Sequence, residues 1–569
     1  MAVGQAISGW TLSELLGGLS LPATDLSAAQ SAIAVSGVSL DSRKVGPGDL
    51  FIAYPGVHSD GRKFIAQALS AGACAVLVEA EGFDGDAIKG DVVKGGFVKG
   101  DVLKGMAGRE RIIPVANLSS QASAIAGRFY GEPSQAMVLT GVTGTNGKTT
   151  CTQLLAQLYT LLGKQAGVMG TLGADLVSAG VERKLPAADE TASSMTTADA
   201  VTTQALLAEL RDSGAAYVAM EVSSHGLVQH RVAAVSFDTA VFTNLSRDHL
   251  DYHGDMEAYL SAKAELFRMP GLKRAVINID DPAGRELVTQ LPSSVECFRF
   301  GIAGSNSGRN SNTDSGSHSN KASSSAVQAD VRAEHCRYTR DGIVAELITP
   351  WGEGEVRSTL LGEFNLSNLL AVIATVCAQG FDFQQVLSLI PELRAVDGRM
   401  QRLAADDSSP QVVVDYAHTP DALEKALVSL QPYCTGKLWC VFGCGGDRDR
   451  GKRAQMGEVA SRYADRVVLT SDNPRSESSE VIIEEIKRGV LPELEASALW
   501  VEEDRRVAIR TAIVQADKKD TVLIAGKGHE RYQEVAGVRW PFDDVAEAMV
   551  ALKRLKSEQA GSGQAESES

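Results

Sequence analysis

A lysine and two threonines behind a run of glycines are the residues of this chain best suited to chemistry: GVTGTNGKTT, Gly141 to Thr150. An apolar run, Met137 to Val142, comes before them, and CTQLLAQLYTLLG follows with Leu154, Leu155, Leu158, Leu161 and Leu162 at helical spacing. In a strand, glycine loop and helix, backbone N–H groups and the helix N-terminus cradle phosphate oxygens. Gly144, Thr145, Asn146 and Gly147 would form the cradle, and Lys148 would add a point charge. The Thr149 hydroxyl, beside Thr150, would be available to Mg²⁺. Strict phosphate-loop spacing requires glycine where this chain has Val142, so the motif is a variant. The plain alternative is a glycine turn with an incidental lysine.

Other elements must bring groups to that loop. Strand candidates Tyr217 to Met220, Thr239 to Phe242 and Ala275 to Ile279 alternate with helical patterns, which indicates a parallel sheet. Glu221 directly follows the first and His249 comes after the second, so both are expected to face phosphates from carboxyl ends of strands. A second set, Val412 to Val414, Leu438 to Phe442, Val467 to Thr470 and Val522 to Ala525, runs each time into a polar or glycine-rich turn. One such turn is DNPR, Asp472 to Arg475. Pro474 biases Asn473 towards an extended conformation, so Arg475 would be aimed from a stiff turn, and a guanidinium fork pairs bidentately with a carboxylate. By itself the tetrapeptide also reads as an Asx and proline turn.

The expected fold is α/β with three domains: an N-terminal α/β domain at 1–135, a central phosphate-loop domain with a parallel sheet at 136–392, and a C-terminal Rossmann-like domain at 393–569. The first contains SLDSRKVGPGDLFIAYPG, Ser39 to Gly56, and strand-like Ala75 to Val78. At about 150 residues per domain, 569 residues are too many for one core. Lys-Gly pairs at Lys89, Lys94, Lys99 and Lys104 fit neither helix nor strand and read as a surface excursion. The Ser/Asn/Gly stretch Ala303 to Ala326 reads as a disordered loop, and the tail GSGQAESES is expected to fray. With 55 basic against 71 acidic residues, a net charge of −16, the chain has no general attraction for nucleic acid or anionic membrane. Eight cysteines without CxxC spacing suggest neither a disulfide framework nor a zinc cluster. No Lys or Arg precedes Arg43, and the longest apolar stretch, Leu369 to Ala378, is too short to span a bilayer. A cytoplasmic monomer is expected. No G-x-G-x-x-G opens a strand-to-helix unit, which argues against NAD binding.

Further motifs run in order along nearly the whole chain: MEVSSHGLVQHRV (Met220 to Val232), TNLSRDHLDYHG (Thr243 to Gly254), YLSAKAELF (Tyr259 to Phe267), GEFNLSNLLA (Gly362 to Ala371) and DYAHTPDAL (Asp415 to Leu423). With GVTGTNGKTT and DNPR they resemble the Mur ligase family, ATP-dependent enzymes that add amino acids to the UDP-linked precursor of peptidoglycan. The resemblance implies transfer of the ATP γ-phosphoryl to a substrate carboxylate, giving an acyl phosphate that an amine attacks. Positioning and charge neutralisation would then be the main tasks of the protein.

The same resemblance assigns residues. Thr149, Glu221 and His249 would ligate Mg²⁺, joined by Lys263 as a carbamate, a hard anionic oxygen donor. Unaided, Lys263 in a helix-like stretch reads as a solvated or ion-paired lysine. Asn278, Asn365, Arg399, Asp415 and His418 would hold the rest of ATP. Asn365 also reads as a helix cap before Leu369, and Thr419-Pro420 as helix initiation. Leu40, Ser42, Val57, His58 and Ser59 would meet uridine and its phosphates, with Thr196, Thr197, Ser223, Gln229 and Arg231 on the sugar and peptide of UDP-N-acetylmuramoyl-L-alanyl-D-glutamate. Met195 stands where some relatives have Asn. Asp472, Asn473, Pro474 and Arg475, with Arg448, Gly526 and Glu530, would hold a meso-diaminopimelate acceptor. That acceptor differs from lysine by one distal carboxylate, and two charge-assisted hydrogen bonds at roughly 1.5–3 kcal/mol each give about 10²-fold or more discrimination. A lysine-adding sibling, a folate polyglutamate synthetase and a phosphate-loop ATPase switch are the competing readings.

Overall fold

The computed structural model of the chain describes residues 9–17, 26–57, 59–83, 108–178, 181–185, 195–303, 328–339, 341–403 and 408–566. The Lys-Gly repeat, the Ser-rich stretch beyond Ala303 and His58 lie outside these. Two compact units are present: Met1–Asp330 with Ala371–Phe381, and Val331–Leu370 with Asp382–Ser569.

In the first unit, β1 (Trp10–Thr11) and β2 (Ala34–Val35) form an antiparallel pair. Next, β3 (Gly37–Ser39), β4 (Asp49–Ala53), β5 (Ala75–Glu79) and β6 (Ile112–Val115) make a parallel sheet in that order. Every residue of β5, AVLVE, is buried, as in a parallel strand covered on both faces. The core of this sheet runs on through Leu118, Ile125 and Phe129 to Ala200 and Val201, so the expected 1–135 segment shares a core with part of the expected 136–392 segment, of which 331–370 and 382–392 fall in the second unit.

The larger sheet of this unit contains β7 (Val138–Thr143), β8 (Ala166–Gly170), β9 (Gly173–Ser178), β10 (Val181–Lys184), β11 (Tyr217–Glu221), β12 (Thr239–Phe242), β13 (Arg274–Asn278) and β14 (Glu296–Ile302). Their order is β10-β9-β8-β11-β7-β12-β13-β14, antiparallel only at β8-β9-β10. The strand order reverses around β7, where α/β sheets open a ligand crevice at the carboxyl ends.

The second unit opens with β15 (Val331–Thr339), β16 (Gly342–Thr349) and β17 (Gly352–Ser358), an antiparallel meander that the expectation of a parallel sheet did not include. Burial alternates along β15 and β17, as for strands with one solvated face. Then β18 (Gln401–Leu403), β19 (Gln411–Asp415), β20 (Leu438–Phe442), β21 (Arg466–Leu469), β22 (Leu499–Val501) and β23 (Thr521–Ala525) form a sheet ordered β18-β19-β23-β20-β21-β22. All but the β18 edge pair in parallel, the Rossmann-like pattern expected from sequence. A hairpin, β24 (Tyr532–Val535) and β25 (Val538–Pro541), precedes the last helix. That helix, Asp544–Glu566, takes in all but three residues of the tail expected to fray. All eight cysteines are free thiols. Among the described residues, no helix is long and apolar enough to cross a membrane.

Candidate active site

The phosphate loop is built as its sequence requires: β7, then residues 144–147, then helix Lys148–Leu161. Gly144 has φ 148°, and a Cβ there would sit 1.9 Å from Thr243 Oγ1, so no larger residue fits. The loop is tied to the segment after β12. Thr145 N–H donates to Asn244 O at 2.9 Å, Asn146 N–H to Asn244 Oδ1 at 2.9 Å, and Thr243 Oγ1 to Asn146 O at 2.6 Å. Lys148 Nζ donates to Gly144 O at 2.8 Å and to Thr145 O at 2.9 Å, while Gly147 precedes the helix with φ 88° and Thr149 is buried in its first turn.

Lys263 joins this cluster, and it is no surface lysine: only 1% of it is exposed. It lies on helix Met256–Ala264, whose N-cap Asp255 accepts Ala258 N–H. Lys263 Nζ donates to Gly144 O at 3.1 Å and stands 4.3 Å above the Tyr259 ring, one helical turn earlier. Burial, reinforced by the Lys148 charge, holds its pKa well below the usual lysine value. A neutral amine is the form that can attack CO₂. Tyr259 OH in turn meets Thr145 Oγ1 at 3.3 Å.

Glu221 ends β11, paired with Val142 on β7, and is 1% exposed. Its carboxylate accepts Thr171 N–H at 2.9 Å and Thr171 Oγ1 at 3.2 Å. His249, half exposed with φ 54°, lies 3.4 Å from Asp248 and 4.8 Å, ring to ring, from His225. Among the described residues no three His, Cys, Asp or Glu side chains are grouped as a metal site. Glu221 and the Thr149 hydroxyl offer hard oxygen donors, a set that fits a divalent cation once a further anionic oxygen is added. Asn278, at the end of β13, spends Nδ2 on Thr243 O at 2.8 Å and so braces the same segment.

The residues assigned to the sugar and peptide gather beside Glu221. Thr197 Oγ1 donates to Glu221 O at 3.0 Å and accepts Ser223 N–H at 2.9 Å, and Thr171 Oγ1 reaches Thr196 Oγ1 at 3.3 Å. Arg231 donates to Thr197 O and to Gln229 Oε1, both at 2.6 Å, and Gln229 Nε2 donates to Tyr252 OH at 3.1 Å. Ser223 caps helix Ser224–Val228. Met195 lines a small apolar cavity with Met169, Leu206 and Met220. Of the uridine set, Ser42 is buried and bonded to Gln67 at 3.0 Å, Leu40 is half-buried, and Val57 and Ser59 are exposed in the loop after β4. Tyr54 on that loop feels the charges of Asp199 and Arg231, and burial pushes its hydroxyl up to about 12.

The second unit holds two further groups. Asp415, at the end of β19, accepts Met400 N–H at 2.7 Å and Ala417 N–H at 2.9 Å, and burial raises its pKa. The Arg399 guanidinium lies 4.5 Å over the Tyr416 ring, whose other neighbours are His418 at 4.6 Å and His529 at 5.1 Å. Burial lowers the pKa of both histidines, that of His529 to about 4. Arg399 Nε and His529 Nδ1 are buried with no hydrogen-bond partner among the described residues, so this cluster has polar capacity left. Asn365 is not a helix cap: helix Glu363–Ala378 has already begun, and Asn365 Nδ2 bonds back to Leu361 O at 2.8 Å. Thr419 and Pro420 do start the helix Pro420–Leu430.

The acceptor residues converge at the ends of β20, β21 and β23. Asp472 and Asn473 are buried, and a Cβ on Gly526 would meet Asp472 Oδ2 at 2.5 Å. Asn473 Nδ2 donates to Glu530 Oε2 at 2.7 Å. Arg475 is stiffened by more than Pro474. It takes φ 51°, its N–H donates to Glu534 O at 3.0 Å, its carbonyl accepts Ala536 N–H at 2.7 Å, and NH1 donates to Gly446 O at 2.7 Å. The hairpin β24-β25 therefore holds it, and its Nε is 3.8 Å from Glu534. Arg448 is exposed, and the absent Cβ of Gly445 would lie 2.9 Å from Arg475 NH1 and 3.8 Å from Arg448 Cγ.

Sequence reasoning missed Thr171, Tyr259, Tyr416, His529 and the buried arginines. Arg505 binds Asp544 at 2.7 Å and donates to Ala525 O at 2.9 Å, fastening the end of β23. Arg453 bridges Glu477 at 2.8 Å and Glu485 at 2.6 Å and donates to Gly445 O at 3.2 Å.

Three family descriptions match the chain: Mur ligase family, catalytic domain, over residues 34–130; Mur ligase middle domain over 142–376; and Mur ligase, glutamate ligase domain, over 398–528. The UDP-N-acetylmuramoyl-L-alanyl-D-glutamate–2,6-diaminopimelate ligase of Ectopseudomonas mendocina (strain ymp) is 47% identical over 93% of this chain and 97% of its own. Its counterpart from Pseudomonas aeruginosa is 47% identical over 92% and 96%. A solved structure of a ligase with the same name superimposes with TM-score 0.65 at 34% identity, over 97% of this chain and 99% of that one.

Proposed function

The chain belongs to the Mur ligase family, and from that membership we propose that it joins meso-diaminopimelate to UDP-N-acetylmuramoyl-L-alanyl-D-glutamate, using ATP, in peptidoglycan synthesis. The D-glutamate carboxylate takes the γ-phosphoryl group of ATP to become an acyl phosphate. The acceptor amine then attacks the acyl carbon, phosphate leaves, and the amine loses a proton.

In the first unit the N–H groups at the start of helix Lys148–Leu161 would hold the phosphates, with Lys148 opposing their charge, while the Thr145 and Asn146 N–H groups are committed to Asn244 and fix the shape of the loop. Glu221, Thr149 and His249 would hold Mg²⁺, with the anionic oxygen supplied by Lys263 as a carbamate. When bound, Mg²⁺ neutralises charge on the phosphate oxygens. Thr196, Thr197, Ser223, Gln229 and Arg231 orient the peptide of the nucleotide substrate. In the second unit, Arg399, Asp415 and His418 serve ATP. Asn473, Arg475, Arg448, Gly526 and Glu530 take the acceptor. We assign 1–135 to the UDP-sugar, 136–392 to ATP and 393–569 to the amino acid, in a cytoplasmic enzyme that works as a monomer.

The acceptor assignment rests on one observation: Arg475 is held by Gly446 O and by the hairpin, with one of five N–H donors committed to that carbonyl. Such a fork suits the distal carboxylate that lysine lacks. Mass spectrometry of the product from the nucleotide dipeptide, ATP and an equal mixture of diaminopimelate and lysine tests it. A gain of one diaminopimelyl residue is expected. A lysyl gain would assign the sibling activity, and phosphate release without any gain would make the chain an ATPase switch.

A further inference from the structure

AGKGHE contains a lysine between two acceptor residues, Gly526 and Glu530, and the reading above leaves it without a task. Lys527 is 0% exposed, a rare state for an ammonium group, which must find partners when it leaves water. The flanking glycines explain how it gets there. Gly526 and Gly528 have φ 116° and 54°, and a Cβ on the second would lie 2.7 Å from Gly398 O. Only glycine passes both points, and the chain between them turns its one side chain inward.

Lys527 Nζ donates to Asn473 Oδ1 at 3.0 Å, lies 3.4 Å from Glu530 Oε2, and is 5.6 Å from the centre of the Tyr532 ring. Asn473 Oδ1 also accepts Glu534 N–H at 2.9 Å, and Asn473 Nδ2 donates to Glu530 Oε2 at 2.7 Å. Two donors on the oxygen and one acceptor on the nitrogen allow this amide a single orientation. Asn473 thus stands between Lys527 and the residue two places on, Arg475. A Gly-Lys-Gly turn at a strand end also resembles a phosphate cradle. An amine that is wholly buried and bonded to Asn473 is not presented to a ligand, so the lysine must act on its neighbours.

We propose that Lys527 is a positioning residue for the amino-acid acceptor. It fixes the Asn473 amide, and through it the turn carrying Arg475, and it gives the Glu530 carboxylate an ammonium partner so that this carboxylate meets the acceptor's amino group in one place. The inference rests on the acceptor site proposed above.

Steady-state kinetics on the full chain, varying ATP, the nucleotide dipeptide and diaminopimelate in turn, tests it with Lys527→Met, Glu530→Gln and the double variant. Lys527→Met should raise KM for diaminopimelate about tenfold or more and leave KM for ATP and for the dipeptide within about twofold. The double variant should be no worse than about twofold below the poorer single one, because both act on one group. An acceptor KM within about twofold of wild type in Lys527→Met, or fully additive losses, overturns the inference. A purely structural role would lower the melting temperature without this KM split. If Lys527→Met does not fold, Lys527→Gln, which keeps a donor for Asn473 but no charge, is read by the same thresholds. Wild-type protein inert towards diaminopimelate overturns the functional reading, and this inference with it. Wild-type turnover with an unchanged acceptor KM in the variant overturns the inference alone.

Discussion

Replacing Arg475 by Met removes the fork and leaves the backbone turn intact, because that turn is held by main-chain bonds to Glu534 and Ala536 and by the Pro474 ring. The side chain is 20% exposed, so its bonds to a ligand form in a partly water-excluded place. Two charge-assisted bonds of roughly 1.5–3 kcal/mol each amount to about 3–6 kcal/mol, or about 10²- to 10⁴-fold in kcat/KM for diaminopimelate. The lower half of that range applies, because Glu534 at 3.8 Å competes for the same guanidinium and the site stays partly wet. Arg475→Lys keeps a charge but not the planar fork, and about tenfold of the loss should remain. Lysine has no distal carboxylate, so its own poor kcat/KM should change by no more than about twofold in either variant. Phosphate release measured with each acceptor, confirmed by product mass, gives these ratios. Equal losses for the two acceptors would refute the reasoning and reduce Arg475 to a structural contact of Gly446.

Lys263→Ala should lose about 10²- to 10³-fold in kcat, and small carboxylates or bicarbonate should restore part of it, since they can return the missing anionic oxygen. Absence of rescue in the same phosphate-release assay would count against the carbamate. Thr171→Val removes one of two hydrogen bonds to Glu221, so the Mg²⁺ concentration for half-maximal rate should rise about tenfold or more, with Thr171→Ser close to wild type. An unchanged Mg²⁺ titration would contradict this. Glu477, held by the buried Arg453, has its pKa lowered from 4.5 to about 2. The unfolded chain therefore takes up the proton first, and the stabilisation present above pH 4.5 is lost as pH falls through about 2. Glu477→Gln should flatten the fall of melting temperature across that window, and an identical acid profile would show the pair to be without effect.

How far the sequence revealed this molecule depended on how local the signal was. Apolar runs bounded by turns located β7, β11, β12, β13, β19, β20, β21 and β23 to within a residue at most ends, because a buried parallel strand writes its own composition. The phosphate loop was equally legible, its glycines being demanded by close neighbours such as Thr243. The hairpin that stiffens Arg475 was not. Its turn is Ala536-Gly537, with φ 50° and 76°, where the usual signal is Asn-Gly or Asp-Gly. Lys263 looked like a surface residue because lysine is seldom buried, although it sits three and four places after Leu260 and Tyr259 on the buried face, away from the exposed Glu257 and Ser261. The clasp of Thr171 on Glu221 and the Arg505–Asp544 pair join residues 50 and 39 positions apart, distances at which pattern reading has no purchase.

The most direct measurement is a crystal structure of the chain with ADP and meso-diaminopimelate bound. Two nitrogens of the Arg475 guanidinium should lie about 2.7–2.9 Å from the two oxygens of the distal carboxylate, with the reacting end of the amino acid near Glu530. A guanidinium turned onto Glu534 or into solvent, with that carboxylate held by other residues, would contradict the assignment of acceptor specificity.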